Sequence, residues 1–100
     1  MRYPDWKDAA RRRAVLQLLI EAGGEAALQA LEWGLKQTSH RLGVDSSTVA
    51  ADLRWLENVL TVELDYPTPT TAYAKITKRG VQVVQGAAKV EGIAEPDMGV

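Results

Sequence analysis

The run LKQTSHRLGVDSSTVAADLRWLE, from Leu35 to Glu57, constrains the fold more than any other part of the chain. Helical periodicity appears on both sides of Leu42-Gly43-Val44, and Asp45 stands where a second helix needs an N-cap. The run therefore reads as two short helices joined by a tight turn. Beyond it the hydrophobic period changes to two and the segment closes on Ile76-Thr77-Lys78-Arg79-Gly80, the pattern of a β-hairpin. A helix-turn-helix followed by a hairpin predicts a winged helix-turn-helix. This is a mainly helical α+β fold with a three-helix core, a two-stranded β-hairpin wing and a C-terminal helix.

The chain of 100 residues, 46% of them hydrophobic, has the size of one domain with a single core. We expect a domain over residues 1–90 and a loose tail over 91–100, since the stretch VEGIAEPDMGV from Val90 onward shows no amphipathic period. No apolar run approaches the roughly 20 residues of a membrane span. The N-terminus lacks the apolar stretch of a secretory signal, so a soluble cytoplasmic protein with no membrane partner is expected. With no cysteine and one histidine, His40, neither a disulfide framework nor a zinc site is expected, and no metal or cofactor is called for. The net charge of −1 lacks the basic surplus usual in nucleic-acid binders, so any DNA contact must rest on local patches.

Pro4 and Asp5 suit a helix start, and the first helix is expected from about Asp5 to Ala22, stopped by Gly23-Gly24. On a helical wheel Val15, Leu16, Leu18, Leu19, Ile20 and Ala22 span about 200°, too wide for one half-exposed face. A second helix is expected from near Glu25, with Ala27, Leu28, Leu31, Leu35 and Leu42 on one face and Gly34 as a break or close-packing point. The third runs from Ser46 to about Asn58. Asp45 accepts there from the amide of Ser47 or Thr48, and Val49, Leu53, Leu56 and Leu60 form the buried stripe. Strands follow over Thr61 to Tyr66 and Thr71 to Ile76, joined by a loop from Pro67 to Thr70. Thr77 caps a last helix, Lys78 to Ala88, with Val81, Val84 and Ala88 inward.

In a helix-turn-helix the second helix enters the major groove with the residues opposite its buried stripe. Those residues are Ser46, Ser47, Thr48, Ala51 and Arg54, with Asn58 further along, and Arg54 alone among them suits bidentate guanine recognition. The serines and the threonine also suit a helix start whether or not DNA is present. Lys75, Lys78 and Arg79, where the hairpin returns, are candidates for positioning phosphates. The hairpin tip carries no base, and Arg11, Arg12 and Arg13 read as a solvated helix end. Asp52 is expected to pair with Arg41 or Arg54, and Trp55 to pack against the hairpin. An active site needs a nucleophile with a base, a carboxylate pair or a metal, and His40 alone supplies none of these. Leu16 and Ile20 lie beyond the core-facing line of the first helix and suggest a homodimer interface. The competing account has the last helix and tail cover them within one chain.

The string Val49-Ala50-Ala51-Asp52-Leu53-Arg54-Trp55-Leu56-Glu57, with Ile76-Thr77-Lys78-Arg79-Gly80 and Val90-Glu91-Gly92-Ile93 downstream, resembles the small winged-helix, ArsR-like proteins of Mu-like phages and prophages. The resemblance covers about Asp5 to Ile93. It implies a winged-helix domain with a DNA-binding, phage-regulatory role in a bacterial host cell. The chain departs from that pattern at Asn58-Val59, where a glycine-containing turn is usual, and at Asp45, where serine is more usual. The metal-sensing cysteines of ArsR-type repressors are absent, so metal-responsive regulation does not carry over.

The leading expectation is thus a non-enzymatic protein that binds double-stranded DNA through the helix over 46–58. The alternative is a winged-helix protein-interaction or phage-assembly module that does not read DNA.

Overall fold

The computed structural model describes residues 3–38, 44–68 and 71–95. They form a small α+β unit of four helices and one antiparallel sheet, in the order α1 (Tyr3–Glu21), β1 (Glu25–Ala27), α2 (Leu28–Lys36), α3 (Ser46–Asn58), β2 (Val62–Thr68), β3 (Thr71–Ile76) and α4 (Lys78–Val84). The turn expected at Leu42 and Gly43, together with His40 and Arg41, lies outside the described residues.

α1 ends at Gly23-Gly24 as the sequence indicates: Gly23 N–H donates to Ile20 O and Gly24 N–H to Leu19 O, a double closure that satisfies the last carbonyls. The chain then departs from expectation. Glu25 to Ala27, read as the start of the second helix, form a third strand paired antiparallel to β3, with Glu25 opposite Lys75 and Ala27 opposite Tyr73. Alanine and glutamate favour helix locally, but β3 would otherwise leave one edge unpaired, and Ile76 N–H donates to Gly24 O at the end of that pairing. Backbone pairing outweighs a propensity difference of under about 1 kcal/mol per residue. The sheet order is β1-β3-β2.

α2 runs unbroken through Gly34, whose place is explained by packing: a Cβ there would come within 3.1 Å of both Leu18 methyl carbons. α3 is capped as expected, with Asp45 accepting from Thr48 N–H. Its stripe holds for Val49, Leu53 and Leu56 but not for Leu60, which is 69% exposed. The helix closes at Asn58 with Thr61 N–H on Leu56 O and Leu60 N–H on Glu57 O, placing Leu60 in the left-handed region at φ 66°. That position is one glycine usually takes, and a β-carbon there is strained. The strained turn is held by Thr77, whose hydroxyl donates to Leu60 O and whose N–H donates to Thr61 O.

β2 and β3 pair from Val62 opposite Ile76 to Thr68 opposite Thr71, with an irregularity between Asp65 and Thr68. β2 thus extends two residues beyond the expected strand, into the segment read as loop. α4 is capped by Thr77, which accepts from Gly80 N–H, but it ends at Val84 rather than Ala88. Gly86, at φ 82°, closes it through Gly86 N–H on Val83 O and Ala87 N–H on Gln82 O. Its deepest apolar residue is Val83, not Val81, Val84 or Ala88, which are half-buried.

One contiguous core joins Val15, Leu16 and Leu19 of α1, Leu28, Leu31 and Leu35 of α2, Val49, Leu53 and Leu56 of α3, and Val62, Ala74 and Val83. Leu16, expected at a homodimer interface, is 0% exposed within the single chain, and Ile20 is half-buried. Leu16 therefore offers nothing to a second copy, and the wide apolar arc of α1 is explained by burial on several sides. The expected loose tail is also corrected where it is described. Ile93 and Ala94 are buried, and Ala94 N–H donates to Ala9 O of α1. Among the described residues, no helix is long and apolar enough to cross a membrane.

Candidate nucleic-acid interface

α3 is anchored on three sides, and this determines which side chains it presents. Val49, Leu53 and Leu56 hold its inner face in the core, and Asp45 holds its N-terminus. The third anchor is Asp52, buried on the flank of the stripe. Its partner among the described residues is Arg11 of α1, not the expected Arg54: Arg11 Nε donates to Oδ2 and Nη2 donates to Oδ1 at 2.9 Å, while Arg41, the other expected partner, lies outside the described residues. This two-pronged pair is buried, with side chains 12% and 4% exposed. The Asp52 hydrogen bond raises the Arg11 pKa above its ordinary value against the opposing effect of burial, so the guanidinium stays charged. Asp8, one turn earlier on α1, adds a second carboxylate at 3.0 Å.

Arg12 also turns inward. Its guanidinium carbon lies 4.0 Å from the centroid of the Trp55 ring, a cation–π contact, and its Nη1 donates to Gly92 O. The indole is thus covered by α1 and the C-terminal segment, where packing on the hairpin was expected. Arg13 Nη2 reaches Val84 O at 3.5 Å. The three consecutive arginines are therefore ties between α1 and the rest of the domain, not a solvated helix end. A sequence signal for this exists. Arg11 and Arg12 sit four residues before Val15 and Leu16, so they continue the buried face by one turn.

Opposite the stripe, Ser47, Ala51, Arg54 and Asn58 recur at i, i+4, i+7 and i+11 and are all exposed. Arg54 has no hydrogen bond or ion pair among the described residues. Glu57, three residues on, is turned to the hairpin, where its Oε2 accepts Leu64 N–H at 3.2 Å. Several of the expected side chains are engaged within the chain, the Ser47 hydroxyl among them. Ser46 donates to Glu32 Oε1 of α2 at 2.7 Å, and that carboxylate also holds Lys36 at 2.9 Å. Ser47 and Thr48 hydroxyls both donate to Asp45 Oδ1. Lys75 sits directly across from Glu25 on one side and Glu63 on the other, on the exposed face of the sheet. Arg79 donates to Val59 O at 2.9 Å, which brings it to the C-terminal end of α3 beside Asn58, and Lys78 is exposed one residue earlier.

The carboxylates at the start of α3 carry a pH dependence. Hydrogen bonds from the Thr48 backbone, then from the Ser47 and Thr48 hydroxyls, lower the Asp45 pKa from 3.8 to about 2. Hydrogen bonds from Lys36 and Ser46 lower that of Glu32. A carboxylate with a depressed folded pKa stabilises fully above its unfolded pKa and loses that contribution as pH falls through the folded value. The stability advantage of the parent over Asp45→Asn should therefore shrink between about pH 4 and pH 2 in urea titrations. A difference constant across that range would show that the Asp45 cap does not depend on its charge.

The hairpin is acidic where DNA contact would need the reverse. Glu63 and Asp65 are exposed on β2, and Asp65 Oδ1 accepts Tyr66 N–H at 2.9 Å. Together with Glu57 on Leu64, carboxylates cap two amides of β2, a device that discourages pairing with another strand. Among the described residues no group of histidine, cysteine or acidic side chains is placed to hold a metal ion. No family model, curated protein or solved structure matches this chain.

Proposed function

We propose that this chain is a winged-helix protein that binds double-stranded DNA, with α3 in the major groove. The observation that carries this reading is the line Ser47, Ala51, Arg54 and Asn58, exposed along a helix rigidly anchored by Asp52, Asp45 and the core, with Arg54 unpaired among the described residues. A small-residue line with one unpaired guanidinium suits close approach to base edges and a two-pronged bond to guanine. Arg79 and Lys78 add phosphate contacts near the far end of the helix. Lys75, flanked by glutamates, does not join them, and the acidic hairpin keeps clear of the groove. Contact is thereby confined to α3 and the start of α4, so few phosphates are neutralised and binding weakens only gently with salt. The resemblance to small winged-helix proteins of Mu-like phages adds a regulatory role to this reading.

Arg54→Ala is expected to cost about 1–3 kcal/mol in binding a selected duplex and to relax preference at one base pair. Fluorescence anisotropy against duplexes chosen from a random library checks it. Unchanged affinity and unchanged preference would move the recognition away from α3.

A second reading, a protein-interaction or assembly module on the same fold, is favoured by the carboxylates of the hairpin and by Trp33, which stands 67% exposed on α2. Absence of duplex binding even at low salt would replace the first reading by this one.

A further inference from the structure

We propose that Lys89–Glu95 is a clasp that opens and closes as a unit over the seam between α1 and α3. Its closure holds in place the C-terminal half of α3, the half that carries Arg54 and Asn58. The segment has no regular secondary structure but has its own internal closure, with Ile93 N–H on Val90 O at 3.1 Å and Lys89 Nζ 3.5 Å from Glu95 Oε1.

Its attachment to the rest of the chain is specific and small. Arg12 Nη1 donates to Gly92 O, Ala94 N–H donates to Ala9 O, and Ile93 and Ala94 are buried. Gly92 lies against the edge of the Trp55 ring, where a Cβ would come within 2.5 Å of Cζ2, 2.8 Å of Cη2 and 3.3 Å of Arg12 Nη1. Gly92 also takes φ 95°, so both its backbone and its lack of a side chain are required for closure.

Two physical terms set the closed and open arrangements near balance. Ordering a seven-residue loop costs conformational entropy that is offset by two hydrogen bonds to the rest of the chain and by the burial of Ile93 and Ala94, with Val90 half-buried beside them. Closure also leaves Arg12 Nε buried without a hydrogen-bond partner, since Asp52 Oδ1 is 3.9 Å away, and opening admits water to it. Trp55 transmits the state to the helix. It is held between the Arg12 guanidinium and Gly92, and it is the next residue after Arg54.

The test uses the full chain with Trp6→Phe and Trp33→Phe, exposed positions whose replacement leaves Trp55 as the one tryptophan of the original three. In that background Gly92→Val should red-shift Trp55 emission and speed hydrogen exchange at the Ala94 amide and over the last turns of α3, while the amides of α2 and the sheet keep their protection. Arg12→Gln, which removes the cation without adding bulk, should do the same. Unchanged emission and exchange in both variants overturn the proposal, as does loss of protection throughout the domain, which would mean the segment is no separable unit. A further arm rests on the DNA reading above: the opened variants should bind duplex on the order of tenfold more weakly, as when the competent arrangement falls to about a tenth of the population. Equal binding by parent and opened variants overturns the coupling to α3. Absence of binding by the parent removes the DNA reading alone, and the clasp is then decided by emission and exchange.

Discussion

Asp52→Ala is expected to destabilise the domain by about 3–5 kcal/mol, because it leaves the Arg11 guanidinium buried without its two-pronged acceptor. The pair is 12% and 4% exposed, so water does not substitute for the lost carboxylate. Asp8 reaches Arg11 Nη1 but not Nε, and Arg12 loses its nearest negative charge at the same time. The double replacement Arg11→Leu with Asp52→Leu should recover part of the loss and not all of it, since it removes the Arg11 charge together with its acceptor but still takes the carboxylate from Arg12. Urea unfolding followed by circular dichroism measures both. A loss below about 1 kcal/mol for Asp52→Ala would mean that the carboxylate is solvated and that α3 is held by its apolar stripe alone.

Leu16→Ala should cost about 2–5 kcal/mol, the range for truncating a fully buried leucine. Leu16 is buried against other residues of its own chain, so the loss should be the same in dilute and concentrated protein. A loss that grows with protein concentration would place Leu16 at an interface between copies, because only an associating system couples stability to concentration.

These two residues show where local reading succeeds and where it stops. Asp45 was legible as an N-cap, and so was Thr77, because a cap is a relation among residues within one turn. The strand over Thr71–Ile76 and the stripe Val49, Leu53 and Leu56 were legible from their periods. The third strand was not, because Glu25 to Ala27 carry no strand signal and are drawn into the sheet by the open edge of β3. Leu60 follows the helical period but lies past the point at which the backbone closes α3.

The candidate site divides in the same way. Ser46, Ser47, Thr48, Ala51, Arg54 and Asn58 were read as the face opposite the core, and all but the half-buried Thr48 are exposed. The engagement of Ser46 with Glu32 and the setting of Lys75 among glutamates depend on residues brought in from other elements. The partners of Asp52 and Trp55 lie about 40 positions away on α1, a separation at which spacing carries no information.

The sequence by itself determined the type of every element except the strand Glu25–Ala27, two helix caps, the stop of α1 and the outward line of α3, since each follows from interactions among residues within a few positions of one another. The tertiary structure alone decided that Leu16 belongs to the core, that Arg11 and Arg12 clamp α3, and that the C-terminal segment covers Trp55. Burial and charge pairing are properties of surfaces in contact. Which surfaces meet is settled only when all the elements compete for the same apolar space and the same few buried partners.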